Sequence, residues 1–166
     1  MTTIEREVRE VLDTGFVASP ALTADLQAVL VDLAELGNQA KQAHWNLVGP
    51  QFRSIHSELD EIVDMVRENA DSIAERMRAL WAVPDGRTRT VAESTTLADF
   101  PAGEISVERA LAVIADRILA TVNVIRKVHD SVDQQDPTSA DLLHVVIEGL
   151  EKQRWMLMSE LRHISS

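Results

Sequence analysis

The stretch HWNLVGPQFRSIHSELDEIVDMVRENADSIAERM, residues 44–77, decides how this chain folds. Gly49-Pro50 interrupts one helical pattern. Beyond it Ile55, Leu59, Ile62, Val66, Ile73 and Met77 recur at three- and four-residue steps, which predicts a helix ending near Leu80. On a wheel of about 100° per residue, that apolar stripe centres about 140° from a second strip made by His56, Asp60, Asp71 and Glu75. Such a helix buries one face in its own core and turns the imidazole and carboxylates away from it.

Upstream, Ser19-Pro20 reads as an N-cap followed by proline at the first helical position. Leu22, Leu26, Val29, Leu33, Leu36 and Ala40 then mark a helix from about Pro20 to about Leu47. Downstream, prolines and glycines between Val83 and Ile105 surround a Thr95–Phe100 segment suited to one or two helical turns, so this is a long connection and not a hairpin. Ser106 caps a third long helix carrying Ala110, Leu111, Ile114, Ile118, Val122, Ile125 and Val132. Asp136-Pro137 ends that helix and starts a fourth, with Leu143, Val146, Ile147, Leu150, Leu157 and Leu161, and Gly149 as its weak interior position. Helices of about 28 residues span about 42 Å, a length the connection can cross. The expected fold is all-α, a four-helix bundle with one long crossover containing a short helix, forming a single domain over 1–166 with residues 1–19 as an N-terminal extension.

Composition narrows the chemistry. The 166 residues are 45% hydrophobic, enough for one core, and contain no cysteine, so disulfides, thiolate metal sites and cysteine nucleophiles are excluded. The opening MTTIEREVRE alternates charges, and no long apolar run follows, so neither secretion nor membrane insertion is expected and a cytoplasmic location is. With 27 acidic residues against 16 basic ones and only Lys41, Lys127 and Lys152 as lysines, the net charge of −11 favours cations as partners and repels nucleic acid.

His56 and Glu75 lie nineteen residues apart, about 28 Å along one helix, so a single chain cannot bring both to one ion. An antiparallel copy of the same helix can. The pairs 56 with 75 and 60 with 71 share one midpoint, between Met65 and Val66, as a two-fold contact requires. Each of two identical sites would then join His56 and Asp60 of one chain to the partner's Asp71 and Glu75, while the Gly49-Pro50 turn folds His44 back toward His56. Imidazoles with carboxylates and no thiolate suit iron(II), manganese or zinc, iron being favoured where oxidation follows. A solvated acidic helix face is the alternative for each residue alone, and the five together argue against it.

These residues resemble the Dps family, the small ferritin-like DNA-binding proteins from starved cells. Its pattern K-Q-x-H-W-N, H-x-x-x-D, D-x-x-x-E falls on Lys41 to Asn46, His56 with Asp60, and Asp71 with Glu75, and GLEKQRW with Trp155 adds to the match. The resemblance implies a hollow dodecamer with ferritin-like bundles. Its two-fold sites, built from His44, His56, Asp60, Asp71 and Glu75, would bind iron(II), oxidise it, preferably with hydrogen peroxide, and deposit ferric mineral, protecting against oxidative stress. Trp45 is then a candidate electron donor, with a core or interface tryptophan as the alternative. Asp130, Asp133, Asp136 and Asp141 fall where similar proteins line three-fold ion channels, although Asp136 and Asp141 also suit a helix N-terminus. Glu61 and Asp64 are candidates for mineral nucleation. DNA binding in the family relies on a basic tail, and neither end of this chain has one, so weak or absent DNA binding is expected. A nucleoid-associated, DNA-protecting shell with secondary iron activity is the alternative. Three further features are read as ordinary surface: Glu160-x-x-His163, His129 near a helix end, and His144 paired with Glu148. No phosphate loop, nucleophile elbow or HExxH motif offers a hydrolase site.

Overall fold

The computed structural model describes residues 4–5 and 15–164; most of the expected 1–19 extension lies outside them. Four long helices run over Pro20–Asn46 (α1), Phe52–Ala79 (α2), Val107–Gln135 (α4) and Pro137–Ile164 (α5), with a short helix α3 at Thr88–Ser94. The expected caps are in place. The Ser19 hydroxyl accepts from the Leu22 amide at 3.1 Å, that of Ser106 from Arg109 at 3.3 Å, and the Asp136 carboxylate from Ser139 at 3.2 Å. Each satisfies an amide that the first helical turn leaves without a backbone partner.

The apolar stripes read from the sequence converge on one continuous core, in which Leu22, Leu33, Ile62, Ile73, Ile114 and Leu150 are fully buried. Each such side chain contributes about 1.5–3 kcal/mol relative to exposure. α1 pairs with α2 and α4 with α5 as two hairpins, and α1 packs across α4 to join them. Where α5 meets α2, a Cβ on Gly149 would come 3.1 Å from the Met65 sulfur, so the glycine that weakens the helix also admits a close approach. Among the described residues, no helix is long and apolar enough to cross a membrane.

The crossover is strapped to α1 along its length. Gln27 exchanges two hydrogen bonds with the Asp85 backbone, at 2.8 and 2.9 Å, and Gln39 donates to the Ala98 carbonyl at 3.0 Å. Between them sits Asp32, 1% exposed, whose carboxylate accepts from the Thr95 hydroxyl at 2.8 Å, the Thr96 amide at 2.8 Å and the Thr96 hydroxyl at 2.6 Å. The strap ends in a two-residue parallel ladder, β1 (Leu47–Val48) on β2 (Ile105–Ser106), joining the exit of α1 to the entrance of α4.

This geometry corrects one expectation. The short helix occupies Thr88–Ser94, Thr95 is extended and residues 95–100 form no helix, because the threonine groups that would open one there are bound to Asp32. Helix α3 instead follows the Asp85-Gly86 turn, with Asp85 accepting from Arg87 and Thr90, and buries only Val91. Asp32→Ala should lower unfolding free energy by about 2 kcal/mol, read by urea denaturation, because it leaves three crossover donors without their acceptor.

Candidate metal centre

His44 stands in the last turn of α1 and His56 in the second turn of α2, separated by β1 and a tight turn. Gly49 at φ +118° and Gln51 at φ +62° reverse the chain there, positions at which a residue without Cβ, or one able to adopt the left-handed region, is needed. The reversal stacks the two imidazoles, their centroids 3.6 Å apart and their planes 23° from parallel. Phe52 tilts against His56 from one turn before, at 5.1 Å.

The two rings hold each other through the backbone. Nδ1 of His44 lies 2.9 Å from the His56 carbonyl oxygen, and Nδ1 of His56 lies 3.1 Å from that of His44. A carbonyl only accepts, so each Nδ1 carries the proton, and in the neutral ring each Nε2 keeps its lone pair. The second of these bonds also satisfies a carbonyl that the end of α1 would otherwise leave open. Backbone carbonyls fixing imidazoles through Nδ1 are the usual support for histidine metal ligands.

Asp60 follows His56 by one turn of α2, with Oδ1 3.4 Å from His44 Nδ1. One donor atom from each of His44, His56 and Asp60 falls within 4.8 Å of the others, the one such trio among the described residues. Lys41, one turn before His44, hydrogen-bonds and ion-pairs with Asp60 and holds its carboxyl below the usual carboxylate range. An ammonium thus occupies part of the carboxylate's coordination capacity. The sequence placed Lys41 in one motif with His44, three residues on, without assigning it to Asp60.

The remaining predicted residues are not gathered in this chain. Asp71 and Glu75 are exposed on α2, about 16–22 Å beyond Asp60, too far to meet it at one point. Glu61 and Asp64 are exposed on the same helix. Trp45 is 68% exposed, so it is not a core tryptophan, and it lines a shallow groove with Lys41, Gln42, Arg67 and Phe100. Asp130, Asp133 and Asp141 are exposed around the α4–α5 turn. Asp136 is 8% exposed and engaged by Arg76, whose guanidinium reaches it at 2.7 and 2.9 Å. Burial pushes its carboxyl up, but hydrogen bonds from Ser139 and Arg76 outweigh that and hold it below the ordinary range.

A bundle of two hairpins joined by one long crossover, with a histidine and carboxylate trio on its outer side, defines a ferritin-like protein. Residues 23–166 match the ferritin-like domain family. The chain is 33% identical to the DNA protection during starvation protein of Agrobacterium fabrum, over 84% of this chain and 87% of that one. It is 36% identical to the fine tangled pili major subunit of Haemophilus ducreyi, over 89% and 76% respectively. The solved structure of Dps from Microbacterium arborescens, in its high iron form, superposes with a TM-score of 0.81 at 34% identity, covering 89% of this chain and 99% of that one. The chain belongs to the Dps family.

The Arg76–Asp136 pair supplies a test of local energetics. Arg76→Ala should cost about 2 kcal/mol near pH 7, since it strips a nearly buried carboxylate of its guanidinium. Because the folded pKa of Asp136 is lowered, its stabilising contribution is complete above the unfolded value of about 3.9 and fades as pH falls through the folded value. Urea denaturation of wild type and variant should therefore converge in acid.

Proposed function

We propose that this chain is the subunit of a mini-ferritin that oxidises iron(II) at sites shared between two-fold related subunits and stores the ferric product. The observation that carries the proposal is the His44, His56 and Asp60 trio, with both Nε2 lone pairs left free by the backbone bonds at Nδ1. Family membership supports the coarser statement, that Dps and ferritin-like proteins bind and store iron and protect DNA. The finer one rests on spacing. His44, His56 and Asp60 lack the further oxygen donors that a hard cation takes, and an antiparallel α2 in the register centred between Met65 and Val66 would supply the partner's Asp71 and Glu75.

In this reading iron is the substrate. The imidazoles and carboxylates bind and orient iron(II), and a cation arriving at Asp60 replaces the ammonium of Lys41. Two iron(II) ions give up one electron each, and the O–O bond of one hydrogen peroxide breaks as it accepts both. With two waters the products are two FeOOH units and four protons, so no hydroxyl radical is released. Trp45, exposed beside His44, is positioned to give an electron when the supply of iron(II) is uneven. Exposed Asp133 and Asp141 would concentrate cations at a passage into a dodecameric shell, with Asp136 committed to Arg76, and Glu61 and Asp64 would seed mineral. The location that suits this work is the cytoplasm.

Stopped-flow absorbance after anaerobic iron(II) loading and peroxide addition tests the shared site. His56→Ala and Asp71→Ala should each slow oxidation by at least about tenfold. Co-assembly of the two variants should restore part of the rate, because a mixed dimer regenerates one intact site. Unchanged oxidation in both variants would remove the five residues from the mechanism.

DNA protection in this reading is chemical, through removal of iron and peroxide, and needs no contact with the duplex. With 16 lysines and arginines against 27 acidic residues, the chain presents phosphate with net repulsion. Gel-shift assays in about 0.15 M salt near pH 7 should show no retardation of arbitrary duplex DNA. Salt-sensitive retardation would favour the nucleoid-associated alternative.

A further inference from the structure

A second pair of imidazoles meets across the α4–α5 turn, at residues read from the sequence as unrelated surface. Nε2 of His129 lies 2.7 Å from Nε2 of His144, with ring centroids 4.6 Å apart. Both rings have a carboxylate on the other side. Nδ1 of His129 is 3.2 Å from Asp130 Oδ1, and Nδ1 of His144 is 3.7 Å from Asp141 Oδ1.

The Asp130 carboxylate accepts from Nδ1–H of His129 and leaves its Nε2 lone pair free, whereas Asp141, at 3.7 Å from His144 Nδ1, favours a proton there only through space. The neutral pair is satisfied when His144 carries its proton on Nε2 and donates it to the His129 lone pair at 2.7 Å. Moved to Nδ1, on the Asp141 side, the same proton leaves two Nε2 lone pairs converging on one point. A metal ion can take that point, because it binds both lone pairs while each Nδ1–H faces its carboxylate. Tetrahedral zinc at about 2.0–2.1 Å from each nitrogen separates the two Nε2 atoms by about 3.3 Å, so the rings need only move apart by about half an ångström. His144, whose side chain is 60% exposed, has room for that movement, whereas His129, at 23%, is the fixed member.

We propose that His129 and His144 form a second metal site, taking one divalent transition metal ion such as zinc across the α4–α5 turn, with Asp130 and Asp141 orienting the imidazoles and water completing the coordination. The two ligands stand about two helical turns on either side of the Asp136 turn, so the folded hairpin has already brought them together. The acidity of the chain favours the cation. The site shares no residue with the His44, His56 and Asp60 trio and does not depend on the iron-oxidising reading.

The test is equilibrium zinc binding to the full-length assembly carrying His44→Ala and His56→Ala, so that the first imidazole pair cannot contribute. One zinc ion per chain should bind in the micromolar range, and zinc should raise the thermal midpoint by bridging α4 to α5. His129→Ala or His144→Ala added to that background should each remove this equivalent and the thermal shift, and Asp141→Asn should weaken binding about tenfold. The proposal is overturned if zinc uptake is the same with and without the two histidines, or if no zinc binds below millimolar concentration. Either result leaves the pair as a proton-sharing hydrogen bond. His144 is exposed and its replacement leaves the core intact, so circular dichroism and assembly size should match the parent in the His144→Ala variant.

Discussion

Helix α2 has two faces and one core to serve. Ile55, Leu59, Ile62, Val66, Ile73 and Met77 must be buried, and they are, which fixes the rotation of the helix about its own axis. Once that rotation is fixed, His56, Asp60, Asp71 and Glu75 point away from the bundle, whatever else the chain does. The first two are completed from the same chain, because α1 ends where α2 begins and the intervening turn returns His44 and Lys41 to that face. The last two are left exposed on a helix too straight to bring them round. Burial on one side of a single helix thus decides which of these side chains meet within the chain and which do not.

The two imidazole pairs solve the tautomer problem differently. His44 and His56 are fixed by backbone carbonyls, which do not titrate and do not move without unwinding a helix end. His129 is oriented by the exposed Asp130 carboxylate and His144 stands only near that of Asp141, contacts that protonation or salt weakens. The first arrangement is rigid and suits chemistry at a defined position. The second is adjustable and suits reversible ion binding.

Much of this was legible in the sequence where the cause is local. Ser19, Ser106 and Asp136 were readable as caps because a cap needs only its own first turn, and the apolar stripes were readable because helical periodicity is. The trio was readable by combining a helical wheel with one turn. What was not legible depends on side chains meeting across elements. The short helix was expected at Thr95–Phe100 and lies at Thr88–Ser94, because Asp32, more than sixty residues away, claims Thr95 and Thr96. Lys41 on Asp60 joins two helices, and His129 on His144 joins two others. Each was visible only as a charge on its own surface until the hairpins closed.

The strap between the hairpins has a consequence for how the chain tolerates changes in length. Long surface connections ordinarily accept inserted or deleted residues at little cost. Here Gln27, Asp32, Gln39 and the β1–β2 ladder read off successive points of the segment from Asp85 to Ser106, as a ruler reads divisions. Between Thr95 and Ile105 a single added residue would shift partners away from Asp32, from Gln39 or from Leu47. The stretch from Gly86 to Ser94 carries one buried residue and faces solvent elsewhere, so it is where an added loop, a peptide tag or a protease site can be accommodated without moving the helices it connects.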